Sequence, residues 1–408
     1  MPDTSKERAQ KYLDLGHSEA ENHAKVQLEL YEKRVKDTAS ATNIISEFFK
    51  TNLIDFAWHY IRSRFGPRHP YQAYPKNGDT GIYPLQSSIP SRSGVSLALM
   101  SDWASDTAES DKVANLVSRY APDYTIHMGD IYFVGTPKEV AENFTAPHAS
   151  WYYGVSGSLA LSGNHEMYSN GNAFFQQLLP AMYALDGETK KTQQAGFFCL
   201  ENEHWRIIGI DTGYTSVGRP LLEIISPPDC HLRKEQLAWL RDVVKIGDKN
   251  DKRGLLFLSH HPYLSAFREE YKKPGEQIRE LLGEAERPVI WLWGHDHRLV
   301  IYGMFKNGDG PVAYGRCIGH GGLPVEIKMP DLADIAKITH YDRRVRTVIN
   351  RHSLGYNGFA NVLIEGENLK IAYRDLEDTC VFEESWTVNK ENGQLSWEIL
   401  QALPELAI

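Results

Sequence analysis

Five short apolar runs, Val95 to Met100, Tyr124 to Met128, Ser158 to Leu161, Leu255 to Leu258 and Pro288 to Trp293, each stop at a polar loop carrying aspartate, asparagine or histidine. Helix-like stretches separate several of them, including Asp111 to Tyr120, Pro137 to Phe144 and Arg233 to Val244. Strand-length apolar runs alternating with helical ones specify a layered α/β fold. In such folds ligands bind beyond the carboxyl ends of the strands, where loops turn side chains into a crevice without breaking the sheet's hydrogen bonds. The loops here read Ser101-Asp102-Trp103-Ala104, Gly129-Asp130, Gly163-Asn164-His165-Glu166, Ser259-His260-His261-Pro262 and Gly294-His295-Asp296-His297.

Taken singly, each residue has another reading. Asp102 and Asp130 can cap helices, Asn164 can turn the chain, and His260 can be a buried hydrogen-bonding residue. Those roles do not predict five strand-end loops of this kind, and the residues together point to a metalloenzyme. Divalent ions about 3.5 to 4 Å apart need an anionic oxygen between them and neutral or anionic ligands outside, which a mixed set of carboxylate, amide and imidazole provides.

Composition narrows the partners. Of 408 residues, 42% are hydrophobic and 24% charged, which is the balance of an ordinary globular chain with a sizeable core. Lys plus Arg total 44 against 53 Asp plus Glu, a formal charge of -9, which disfavours nucleic acid polymers and anionic lipid. Cys199, Cys230, Cys317 and Cys380 are scattered without metal-knuckle or disulfide-framework spacing. No run of about 18 apolar residues marks a membrane span, and the start lacks the apolar centre of a secretory signal. The expectation is a cytoplasmic protein without an integral membrane span.

Along the chain, residues 1–65 read as an N-terminal helical extension. Ser18 and Glu21 have capping-box spacing, Ala24, Leu28, Tyr31 and Val35 then recur as one helix face, and Ile44 to Ile61 carries a second broad apolar surface. Packing on the main domain is one reading of that surface, and a homodimer or membrane-surface helix is the other. Residues 66–93, rich in Pro, Gly, Ser and Tyr, read as a linker, 94–375 as the catalytic domain, and 376–408 as a C-terminal β extension with a hairpin at Asn392-Gly393. Arg343-Arg344-Val345-Arg346, near His340, reads as a solvated helix face, with an anion-binding patch as the alternative.

Over about residues 94–375 the chain resembles the calcineurin-like metallophosphoesterase superfamily, and within it the purple acid phosphatase-like branch. The five loops stand in that superfamily's order and spacing. Gln236-Leu237-Ala238-Trp239-Leu240 is similar to its helix before the fourth loop, and Gly319-His320-Gly321-Gly322 to its glycine turn after the fifth. The resemblance implies a four-layer α/β/β/α sandwich of two mixed β-sheets. It also implies a dinuclear centre in which Asp102, Asp130 and His297 hold one metal ion, and Asp130, Asn164, His260 and His295 hold the other. Iron, manganese and zinc all suit such ligands, and affinity order alone does not choose among them.

The implied activity is hydrolysis of a small phosphate ester, a monoester first, by attack of a hydroxide held between the ions, with His165 as general acid for the departing alkoxide. A phosphodiesterase and a catalytically weak interaction scaffold are the alternatives. His261 and His320 stand beside the motifs, open between substrate contact and structural roles. Two positions depart from the family pattern. Ala104 stands where a further ligand is usual. Phe133 stands where purple acid phosphatases place a tyrosine ligand and protein phosphatases an orienting aspartate, with Tyr132 one position early and Asp106 the candidate substitute.

Overall fold

The computed structural model describes residues 67–404 apart from 76–77, 219–226, 268–269, 326, 332–334 and 350–351. The two expected N-terminal helices, over 18–38 and 44–61, lie outside the described residues. Two large mixed sheets carry the described chain. One runs in the order Ile82–Pro84, Phe198–Glu201, Trp205–Gly209, Gly254–Ser259, Val289–Trp293, Val312–Ile318, Leu299–Lys306 and Ile338–Tyr341. The other runs Leu395–Ala402, Cys380–Val388, Asn368–Asp375, Gly358–Glu365, Val95–Met100, Tyr124–His127, Gly157–Ala160, Tyr183–Asp186 and Thr189–Thr192.

The central strands read as unbroken apolar runs because both of their faces are covered. Leu256, Leu258, Ile290 and Leu292 of the first sheet share an inner core with Leu97, Leu99, Ile126, Leu159 and Val362 of the second. The alternate residues Phe257 and Trp291 face outward onto Trp239, Leu240, Ile278 and Leu282 of the helical layer. On the far side, Ala98, Met100 and Ala160 pack against Val113, Leu116 and Val117 of the helix Ala108–Tyr120. That helix begins at a capping box in which Thr107 Oγ1 accepts from the Ser110 amide at 3.1 Å. The result is the four-layer α/β/β/α sandwich that the motif pattern implies.

Parallel pairing aims the loops. Val95–Met100, Tyr124–His127 and Gly157–Ala160 are parallel neighbours, so the loops carrying Asp102, Asp130 and Asn164 leave one edge of the second sheet together. Trp205–Gly209, Gly254–Ser259 and Val289–Trp293 do the same in the first sheet for the loops that follow them.

Two parts of the chain differ from their sequence patterns. The aperiodic stretch 66–93 contains the edge strand Ile82–Pro84, whose pairing with Phe198–Glu201 is accompanied by burial of Tyr83 and Leu85. Residues 343–346 are not helical. Arg344 is clamped by Asp342 and Asp375, each at 2.9 Å, and Arg346 meets Glu109 at 3.2 Å, so these two cations neutralise the protein's own carboxylates.

Candidate metal centre

Three of the candidate ligands stand in left-handed backbone. Asp102, Asp130 and His295 have φ of 56°, 69° and 65°, a region that costs an L-residue about 1–2 kcal/mol. Loop-to-loop bonds hold them there: the Asp102 amide donates to the Gly129 carbonyl at 3.1 Å, and the His295 amide to Asp102 Oδ2 at 2.9 Å. The preceding glycines make the approach possible. A Cβ on Gly163 would lie 2.1 Å from Asp130 Oδ1, and one on Gly294 would lie 2.5 Å from Asp102 Oδ2.

The side chains converge. His260 Nε2 lies 3.2 Å and His165 Nε2 3.6 Å from Asp130 Oδ2, and His297 Nε2 lies 3.1 Å from Asp102 Oδ1. One atom from each of Asp102, Asp130 and His260 falls within 4.8 Å of the others, and the same holds for His260, His261 and His295. Asn164 Nδ2 donates to the Tyr168 hydroxyl at 3.1 Å, while the next residue, His165, gives its amide to Asp130 Oδ1 at 3.0 Å. Glu166 ties two of the loops together, its Oε2 accepting from the amides of Gly163 at 2.7 Å and Asp130 at 3.3 Å.

The electrostatics favour a cation. Burial by itself raises both aspartates, yet Asp102 is held well below the usual carboxylate range by His260, His297 and the Tyr132 hydroxyl, whereas Asp130 stays raised. His260 shows the counterpart: burial pushes it down, but Asp130 and Asp102 override that and lift it to about 9. Two buried carboxylates thus draw positive charge onto the nearest imidazole. His261 goes the other way, lowered by burial and then by His260.

For residues that the sequence singled out without a settled role, the contacts decide. The Tyr132 hydroxyl lies 2.7 Å from Asp102 Oδ1, 2.9 Å from His297 Nε2 and 3.2 Å from Asp130 Oδ2. A parallel bridge between Ala104 and Ile131 and a 2.9 Å bond from the Tyr132 amide to the Ala104 carbonyl set its direction, so the phenol enters between Asp102, Asp130 and His297. Phe133 contributes through its backbone, its carbonyl lying 2.6 Å from His165 Nδ1 and orienting that ring where an aspartate was missing. Asp106 has its amide on Asn143 Oδ1 at 3.1 Å. The glycine turn wraps the first loop, the amides of Gly321 and Gly322 donating to the Ser101 and Asp102 carbonyls, and burial holds the preceding His320 down at about 4.

The strand Trp205–Gly209 also ends at the site's margin, delivering Asp211 and Thr212. This is the same strand-then-polar-loop signal that marks the other five loops, and it was open to reading. Asp211 is buried, its Oδ1 accepting from Ser162 Oγ at 2.7 Å and the Tyr214 amide at 3.0 Å, while Oδ2 has no partner among the described residues. Burial raises its pKa to about 6 against these bonds. A carboxyl raised on folding favours the folded state at low pH. Its contribution is complete below about pH 4 and is lost as pH rises through about 6, amounting to about 2–3 kcal/mol. Asp211→Asn keeps both accepted bonds and cannot ionise. Denaturant unfolding from pH 4 to 8 should therefore show the variant gaining on the wild type as pH rises, and a constant difference would contradict this.

The comparisons agree with the geometry. Residues 95–299, half of the chain, match the calcineurin-like phosphoesterase family. Among solved structures, a purple acid phosphatase from yellow lupin seeds (Lupinus luteus) superposes with a TM-score of 0.50 at 15% identity, over 80% of this chain and 58% of that one. GAP50, described as the anchor in the inner membrane complex of Plasmodium, gives 0.51 at 14% identity, over 74% of this chain and 91% of that one. PhoD gives 0.50 at 12% identity, over 79% and 73%. The chain thus spans less than two thirds of the lupin enzyme, and at these identities the likeness is one of fold. No curated protein sequence matches. With its motifs, sandwich and family match in agreement, the chain belongs to the calcineurin-like phosphoesterase family.

Proposed function

We propose that this chain is a dinuclear metal-dependent phosphoric ester hydrolase of the purple acid phosphatase-like branch, acting first on small phosphate monoesters. The observation that carries the reading is the convergence of two buried aspartates and several strand-end imidazoles on one point, with His165 beside them. The donor atoms suit cations. Asn164 Oδ1 is buried without a hydrogen-bond partner among the described residues, an expensive arrangement unless an ion takes its lone pairs. Asp102, Asp130 and His297, with the Tyr132 hydroxyl among them, would hold one ion, and Asp130, Asn164, His260 and His295 the other; iron, manganese and zinc suit these ligands. Bound there, the ions supply the positive charge that lowers the pKa of water and neutralises phosphoryl oxygens.

The chain's own groups do the rest. The 2.6 Å contact between His165 Nδ1 and the Phe133 carbonyl fixes the ring. Its Nε2 is left facing the Asp130 side of the site, placed to hand a proton to the departing alkoxide. His165→Ala is expected to keep the metal and lower turnover by about 10²–10⁴-fold, most steeply for esters with poor leaving groups. Rates unchanged across leaving groups would remove it as the acid.

Hydrolysis of an aryl phosphate and of a bis-aryl phosphate, before and after chelation, tests the whole reading. Chelator-sensitive turnover, faster with the monoester, is expected. Faster turnover of the diester would move the substrate class, and bound metal with no turnover of either ester would make the chain a scaffold. No helix among the described residues is long and apolar enough to cross a membrane, and all four cysteines are free; a cytoplasmic setting is proposed on the cysteines.

A further inference from the structure

We infer that His261 binds the substrate's phosphoryl group as a hydrogen-bond donor, with Thr212 fixing it in that role; this rests on the hydrolase reading above. The His261 ring lies 4.8 Å from that of His260 and 4.9 Å from that of His295, centroid to centroid. Proximity alone would equally suit a third imidazole ligand for an ion, since one nitrogen from each of the three lies within 4.8 Å of the others. Thr212 separates the two roles.

Thr212 Oγ1 accepts the backbone amide of His261 at 3.1 Å and lies 3.1 Å from His261 Nδ1. The threonine is buried, and among the described residues Nδ1 is the acceptor within reach of its hydroxyl proton. A buried hydroxyl has one proton to donate and loses stability when it cannot, so Nδ1 accepts and the ring hydrogen sits on Nε2. A protonated nitrogen cannot ligate a cation. It can donate to a charged phosphoryl oxygen, the stronger kind of hydrogen bond. Tyr271, edge-on to His261 at 5.1 Å, backs the ring and limits its rotation.

The test uses manganese-loaded protein with inorganic phosphate as the probe, followed by calorimetric titration and by competitive inhibition, alongside metal content. His261→Ala should keep the full metal complement, weaken phosphate binding by about 10- to 100-fold and raise KM more than it lowers kcat. Thr212→Val, which removes the hydroxyl that fixes the ring, should weaken phosphate binding in the same direction, and Thr212→Ser should restore it to within about twofold of wild type. Loss of an ion in His261→Ala would make the residue a ligand and overturn the inference. Phosphate affinity unchanged in both His261→Ala and Thr212→Val would overturn it in favour of packing. A wild-type protein that takes up manganese but no phosphate would instead strike at the hydrolase reading, and the inference would fall with it.

Discussion

Asp130→Asn is expected to strip the protein of metal and lower ester turnover by about 10⁴-fold or more, while leaving it folded. The substitution is isosteric, and the asparagine oxygen can still accept the His165 amide that reaches Asp130 Oδ1 at 3.0 Å. The change falls on the other atom. Oδ2 lies 3.2 Å from both His260 Nε2 and the Tyr132 hydroxyl, and an amide nitrogen there would turn two protons toward the place where the proposed ion pair would need a shared anion. On the proposed reading a larger loss than that of His165→Ala follows, because the acid would serve one proton transfer whereas a bridging Asp130 would serve both ions. Elemental analysis and turnover on one preparation check this. Two ions retained at the wild-type rate would mean that Asp130 is not the bridge.

Glu384→Ala should destabilise the fold by about 3–5 kcal/mol without touching the site. Arg316, in the strand Val312–Ile318, and Glu384, in the strand Cys380–Val388, belong to different sheets and meet in the core, both fully buried. The pair is bidentate, with Nε to Oε1 at 2.8 Å and Nη2 to Oε2 at 2.6 Å. Tyr373 and Trp397 each donate to the carboxylate at 2.7 Å, and Nη1 donates to the carbonyls of Tyr302 at 2.6 Å and Gly315 at 2.7 Å. Burial would lower the Arg316 pKa, but Glu384 more than offsets it. Removing the carboxylate leaves a guanidinium in the core with no counter-charge, which is far worse than removing both. The double variant Arg316→Met with Glu384→Leu should therefore recover most of the stability in denaturant unfolding. A single variant as stable as wild type would show that the pair does not join the sheets as described.

The strands and their terminal loops were legible because they are local: an apolar run of five or six residues, then a glycine that admits close approach, then the side chain the site needs. Asp102, Asp130, His165, His260, His295 and His297 lie close together, and Asn164 lies in the same loop as His165. What escaped depends on the path of the backbone. Tyr132 reads as one position out of place, and only the Ala104–Ile131 bridge aims its phenol at Asp102 and His297. Phe133 reads as a lost orienter because a carbonyl leaves no mark in a sequence. Thr212 had a visible strand before it, but its partner stands 49 positions away. The separation is 68 positions for Arg316 and Glu384, where a lone buried charge of each sign gives no hint of the other. Arg344 and Arg346 read as a solvated basic face because Asp375 and Glu109, which neutralise them, are remote in the chain.

The measurement closest to the central claim is anomalous X-ray scattering from crystals of the metal-loaded protein. Two peaks about 3.5–4 Å apart are expected on either side of Asp130, one beside Asp102 and His297, the other beside Asn164, His260 and His295. Peaks elsewhere, or none within reach of Asp130, would contradict the account.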